Sequence, residues 1–319
     1  MKTILLLLFS ISLFAIDDLT DYRINGIEKI EKKMDLQLTK KEYWDKYIQN
    51  IDTSFGYIEK YSSILTCDKN SSTLNLYKKD KNSTFKFIKR YDAYTGKEAG
   101  DKVKEGDLRT PIGIYKITKK LKKLDSFYGP LAFVTSYPNI YDRFKGKDGH
   151  GIWIHGLPTG QERDQFTKGC IAIDNSGIKC LDKNIKIENT LLIINKTKVP
   201  KNISKEKLST ILSQLYMWRY SWIYNDIDTY INFYSKDFIR DNKMDIERFK
   251  RYKTRIFKKN EKKTILFNDI SVIKYPNTNN IYQITFKEIY RSSTFKFTGD
   301  KMLMVQLDDL NSMKIFTEK

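Results

Sequence analysis

Gly151-Ile152-Trp153-Ile154-His155-Gly156 is an apolar run bracketed by glycine, and fifteen residues after its histidine stands the cysteine of Thr167-Lys168-Gly169-Cys170, followed by Ile171-Ala172-Ile173. Runs this short and this rich in β-branched and aromatic residues form buried strands rather than helices. Asp174-Asn175-Ser176-Gly177 then stops the second strand with turn-forming residues. The pattern forces a β-rich domain that brings an imidazole and a thiol to strand edges. A cysteine attacks as its thiolate, so a neighbouring imidazole must lower its pKa from about 8.5 or take its proton. Gly169 lets the backbone turn sharply, so that the N–H groups of Gly169 and Cys170 can face one developing oxyanion. His155 is one of only two histidines in the chain, which makes it the expected base.

The three cysteines leave at least one unpaired, and Cys170 is the one expected to be reactive. Cys67 and Cys180 lack both an adjacent glycine and a nearby histidine, and read as buried apolar residues or as a disulfide. His150, His155 and Cys170 are ligand types that zinc accepts. Residues five apart lie on opposite faces of a strand, and on a helix they diverge by about 140°. No metal or other cofactor is therefore expected, and His150 reads as a loop residue near the cleft.

Upstream, Glu105-Gly106-Asp107-Leu108-Arg109-Thr110-Pro111-Ile112-Gly113-Ile114-Tyr115, Tyr128-Gly129-Pro130 and Tyr137-Pro138-Asn139 are further ordered blocks. With the His155-Gly156 and Thr167-Lys168-Gly169-Cys170 segments, residues 62–197 resemble the L,D-transpeptidase catalytic domain of the YkuD type. The resemblance implies Cys170 as nucleophile and His155 as base, with the Gly156 main-chain oxygen as the third element. It places the oxyanion hole at Gly169 and Cys170, and Tyr128, Trp153, Thr167 and Lys168 around the substrate. Packing within its strand is an equal reading for Trp153, and a turn-stabilising role is one for Arg109. Transpeptidases of this family usually carry an arginine two residues after the nucleophile, where this chain has Ala172. That departure and the flanking regions resemble the cell-shape-determining peptidoglycan L,D-carboxypeptidases. The implied reaction cleaves the bond between meso-diaminopimelate and D-alanine in a tetrapeptide stem, with water in place of an acceptor amine. The alternatives are a transpeptidase that forms 3-3 cross-links or attaches proteins to the wall, and a non-enzymatic wall-binding scaffold.

Met1-Lys2, the run from Ile4 to Phe9 and the Leu13-Phe14-Ala15 stretch read as a signal peptide over residues 1–15, which implies a periplasmic protein. Export changes what a net charge of +19 means. Nucleic acid is not the expected partner; wall carboxylates or anionic headgroups are, with peripheral association to wall or membrane. General enrichment in lysine explains the charge equally well.

Residues 16–61 carry Ile24, Ile27, Ile30 and Met34, then Tyr43, Trp44, Tyr47, Ile48 and Ile51, at helical spacing. Such faces must pack on the catalytic domain or on a second copy, and the resemblance implies a homodimer through this segment. Short β segments at Thr73–Tyr77, Phe85–Ile88 and Leu191–Ile194 mark a catalytic domain over 62–200. A helix capped by Ser204 then opens a third domain, 201–319, with Leu208, Ile211, Leu212, Leu215, Trp218 and Trp222 on one stripe. Strand-like segments at 264–275, 281–290 and 301–307 follow. This order resembles a nuclear-transport-factor-2-like cone, and the two tryptophans read as its core, with a binding or positioning role for the domain. The expected fold class is thus α+β multidomain: a helical N-terminal segment, a mainly-β catalytic domain and an α+β cone.

Overall fold

A computed structural model of the chain describes residues 2–158, 164–199, 202–309 and 311–319, with backbone alone for 2–17. The expected junction at residues 200 and 201 lies outside the described residues. Helix α1 (Lys2–Leu38) is interrupted at Gly26, whose φ of 75° departs from helical geometry, and α2 (Lys41–Tyr47) follows. No helix among the described residues is long and apolar enough to cross a membrane.

The chain then builds β1 (Tyr57–Ile58), β2 (Ser63–Asp68), β3 (Thr73–Lys79), β4 (Phe85–Tyr94), β5 (Gly113–Lys122), β6 (Leu131–Thr135), α3 (Ile140–Phe144), β7 (Trp153–His155), β8 (Ile171–Ile173), α4 (Asn175–Asn184) and β9 (Thr190–Asn195). Strands β2 to β9 close into a barrel in the order β2-β3-β4-β8-β7-β6-β5-β9. Every residue of β9 is buried, because it is flanked by β2 in parallel and β5 in antiparallel pairing; a central strand reads as such an unbroken apolar run. Leu65, Leu74, Tyr115, Phe133, Ile154 and Ile171 fill the barrel, and closure leaves no free sheet edge beside the site.

The C-terminal part consists of α5 (Lys205–Ile223), α6 (Ile227–Asn232), α7 (Ile246–Phe257), β10 (Thr264–Lys274), β11 (Ile281–Arg291), β12 (Lys296–Leu307) and β13 (Met313–Glu318). Ser204 caps α5 by accepting from the Lys207 N–H at 3.4 Å. The expected stripe on α5 is buried throughout, and Trp218 and Trp222 belong to the core. The sheet has five strands in the order β1-β10-β11-β12-β13, so β13 and the first residues of β12 extend the three strands expected, and Tyr57-Ile58 supplies an edge. A seam of Tyr61, Ile64, Ile114, Ile273, Tyr275 and Phe316 joins barrel to cone.

Among the described residues the N-terminal helices pack chiefly on α5 of the third domain. Trp44 packs 5.1 Å from the Tyr216 ring of α5, and Asp35 pairs with Arg219 at 2.9 Å. Ile48 is fully buried, whereas Ile24, Ile27, Tyr43 and Tyr47 remain exposed.

Candidate active site

Two adjacent parallel strands create the site. In β7 and β8, Ile154 pairs with Ile171 and His155 with Ala172, so Cys170 enters β8 one residue before the pairing begins. Alternation along β7 sends Ile154 into the barrel core and puts Trp153 and His155 on the opposite face. There the Tyr128 ring lies 5.1 Å from Trp153 and 5.2 Å from His155. Phe127, Tyr128, His155, Asp164, Phe166, Thr167, Lys168 and Cys170 line one hollow of about 400 Å³. Trp153 is not in its lining, and it contributes through the Tyr128 contact.

His155 is 1% exposed, and its Nδ1 lies 2.7 Å from the Gly156 carbonyl oxygen. A carbonyl can only accept, so Nδ1 carries the proton and Nε2 is left as the basic nitrogen. The Gly156 backbone is itself held: its N–H donates to the Tyr128 carbonyl at 3.1 Å. Asn175, at the start of α4, accepts from the Leu157 N–H and donates to the Leu157 carbonyl, each at 2.9 Å. A Cβ at Gly156 would stand 2.3 Å from Asn175 Oδ1, so only glycine admits this clamp. Asn175 reads in sequence as a strand stop, and its part in the site was visible only through contacts eighteen residues apart in the chain.

The Thr167–Cys170 loop is tied as tightly. Thr167 Oγ1 donates to the Cys170 carbonyl at 2.7 Å and accepts from the Gly169 N–H at 3.0 Å. Thr167 is buried, so its hydroxyl shapes the loop instead of offering itself to a ligand. The Gly169 N–H, expected as an oxyanion donor, is committed to Thr167 in this structure. Gly169 has φ +128°, and a Cβ there would lie 2.8 Å from the Arg109 carbonyl oxygen. Behind it the Asp107 carboxylate organises the Arg109 loop, accepting from Lys102 Nζ at 2.8 Å and from the N–H groups of Val103, Lys104 and Arg109. Burial raises its pKa, but these donors outweigh that and hold it well below the usual carboxylate range.

Cys170 is half-buried, with Sγ 3.4 Å from the Gly151 carbonyl. Cys67 is fully buried and burial pushes its thiol up to about 12; Cys180 is half-buried and likewise unpaired. The disulfide alternative for these two is thus not the one observed. His150 stands exposed beside Glu105, outside the lining of the hollow. Lys168 is exposed at the rim. Ala172, the position that departs from the family pattern, is fully buried between Tyr94 and His155 on the neighbouring strands.

Size does not choose the site. A hollow of about 560 Å³ between α1, α5 and the start of β10 is lined by Asp35, Arg219 and Tyr224 but by no cysteine or histidine. Inside the cone, Lys253 sits 4.0 Å over the Trp222 ring in company with buried Glu288 and Glu318. Burial lowers the Lys253 pKa and raises that of Glu288. Glu318, despite its burial, is held low by Lys301, Lys253, Arg240 and the Tyr234 hydroxyl.

Residues 62–199 match the L,D-transpeptidase catalytic domain family (YkuD), and residues 210–319 match the Cds6 C-terminal NTF2-like domain. The helical cell shape determining protein Pgp2 of Campylobacter jejuni is 34% identical, with a TM-score of 0.80 over 88% of this chain and 99% of that one. Bd1075 of Bdellovibrio bacteriovorus is 25% identical, with a TM-score of 0.67 over 84% of this chain and 97% of that one. YafK of Escherichia coli (strain K12), whose name places it among L,D-transpeptidases, is 34% identical over 112 residues, which is 34% of this chain and 42% of YafK. The chain thus spans less than half the length of that relative. The chain belongs to the L,D-transpeptidase family, in the branch that carries a C-terminal NTF2-like domain.

Proposed function

We propose that the protein is a periplasmic cysteine L,D-carboxypeptidase that trims peptidoglycan tetrapeptide stems to tripeptides and so contributes to cell shape. The observation that carries this reading is the shared hollow of Cys170 and His155, with Nδ1 of His155 held by the Gly156 carbonyl. His155 Nε2 takes the thiol proton as Sγ attacks the carbonyl carbon of meso-diaminopimelate. The Cys170 N–H stabilises the oxyanion, and the Gly169 N–H joins it when the Thr167 hydroxyl turns away. The bond to the D-alanine nitrogen breaks, His155 returns its proton to that amine, and a thioester remains on Sγ. Water, deprotonated by the same nitrogen, attacks the thioester, releasing the tripeptide carboxylate and restoring the thiol. Tyr128 and Lys168 flank the stem, Trp153 backs Tyr128, and Thr167 holds the loop.

Hydrolysis is favoured over transfer because a buried methyl group at Ala172, not a guanidinium, lies beside His155. Intact-mass spectrometry after rapid mixing with disaccharide tetrapeptide tests the covalent step. The reading predicts an adduct equal to substrate minus D-alanine, absent from the Cys170→Ala variant; an adduct of unchanged mass in that variant contradicts it. We further propose a homodimer through the N-terminal helices, because α1 exposes Ile24 and Ile27 at 64% and 54%. Light scattering should give twice the chain mass, and a monomer with Ile24→Ser and Ile27→Ser together; an unchanged mass counts against it.

A further inference from the structure

A second hollow, of about 370 Å³, adjoins the catalytic one, and Phe166 lines both. The two also share backbone. Thr167 N–H donates to the Thr95 carbonyl at 2.8 Å, and the Lys97 N–H donates to the Thr167 carbonyl at 3.0 Å, so the floor of the second hollow is stitched to the loop that carries Cys170. Its lining includes Lys69, Lys97 and Lys196, against one acid, Glu98.

Other buried lysines of the barrel domain are already paired. Lys102 is paired with Asp107 at 2.8 Å, and Lys147 with Asp101 and Asp142 at 2.5 and 2.9 Å. Among the described residues, Lys69, Lys97 and Lys196 have no carboxylate within 4.0 Å. The Lys69 ammonium donates instead to the carbonyls of Gly100 and Thr110, which fixes its position. Lys97 stands 5.1 Å over the Phe166 ring, at the wall between the hollows, and Lys196 is exposed across the opening. A cleft lined by cations of one sign focuses potential on an anion, and a carboxylate entering it breaks no ion pair among the described residues.

Building on the carboxypeptidase reading, we propose that this hollow is a carboxylate-binding subsite in which Lys97 and Lys196 hold a free carboxylate of the stem peptide while the reacting residue occupies the Cys170 hollow. Besides the D-alanine carboxylate, which departs with the leaving group, such a stem offers two: the α-carboxylate of its γ-linked glutamate and the side-chain carboxylate of its diaminopimelate. The subsite makes the enzyme selective for unamidated stems.

The test is calorimetric binding to the full-length Cys170→Ala protein, alone and with Lys97→Met plus Lys196→Met. The probes are disaccharide tetrapeptide, its glutamate-amidated form and its diaminopimelate-amidated form. Amidating the carboxylate that is read should weaken binding to the parent about tenfold, the size of one charge-assisted contact. The lysine variant should bind all three probes as weakly as the parent binds the amidated one, and Lys97→Arg with Lys196→Arg should restore the preference. Which amide matters identifies the carboxylate. Equal loss on amidation in parent and variant, or no loss in either, overturns the subsite while leaving the carboxypeptidase reading intact. Failure of the parent to bind any probe overturns both.

Discussion

At the scale of single residues the account rests on a proton. The Gly156 carbonyl accepts from His155 Nδ1–H, which leaves Nε2 as the basic nitrogen. Cys170→Ala should therefore remove all turnover at unchanged melting temperature. His155→Ala should lower kcat by at least about 10³-fold, since base, acid and thiol activation are lost together; a mild loss in a tripeptide-release assay would contradict the assignment. Asp107 gives a pH prediction. Its pKa is lower folded than unfolded, so its stabilisation is fully present above the ordinary value of 3.8 and is lost as pH falls through the lower folded value. Asp107→Asn should thus destabilise the protein at pH 7, and the gap in urea midpoint from wild type should narrow at about pH 2, below the ordinary carboxylate range. A gap that widens in acid would refute this. His155 and Cys170 were legible in sequence because their chemistry is rare in this chain. The commitment of the Gly169 N–H to Thr167 was not, since it depends on a hydroxyl rotamer within the loop.

At the scale of elements, the site exists because β7 and β8 run parallel and α4 follows at once. Short apolar runs between glycine and turn residues announced both strands. Nothing in that pattern announced Asn175 as the clamp on Leu157, because the contact forms only when α4 is laid against the end of β7. Asn175→Ala removes two hydrogen bonds and opens space over Gly156. It should lower kcat far more than it raises KM and shift the acidic limb of the pH–rate profile, as expected when an imidazole loses its orientation. A change confined to thermal stability would make Asn175 merely structural. Gly169→Ala meets both a positive φ and the Arg109 carbonyl, costing on the order of 1–3 kcal/mol locally. In the C-terminal sheet the start of β12 escaped sequence reading because Lys296 to Asp300 has a single apolar residue, the exposed Phe297, and contains Gly299 at an edge. Such a stretch pairs for its backbone, not for burial.

At the scale of the molecule, helical periodicity showed that the N-terminal faces needed a partner but could not say which. The structure gives α2 to the cone: Trp44 is buried against Tyr216 and donates its Nε1–H to the Leu38 carbonyl at 2.7 Å. Trp44→Ala should cost about 3–5 kcal/mol, read from chemical unfolding. Barrel and cone are joined through the Tyr275–Phe316 seam, so the Cys170–His155 hollow and the cone's buried charges belong to one packed body. The measurement that reaches the central claim most directly is mass-resolved chromatography of muropeptides after incubation of cross-linked sacculi and purified disaccharide tetrapeptide with the mature protein and its Cys170→Ala variant. The account predicts tripeptide and free D-alanine in equal amounts with the active protein and neither with the variant. New 3-3 cross-links in place of free tripeptide, or an unchanged profile with both proteins, would contradict it.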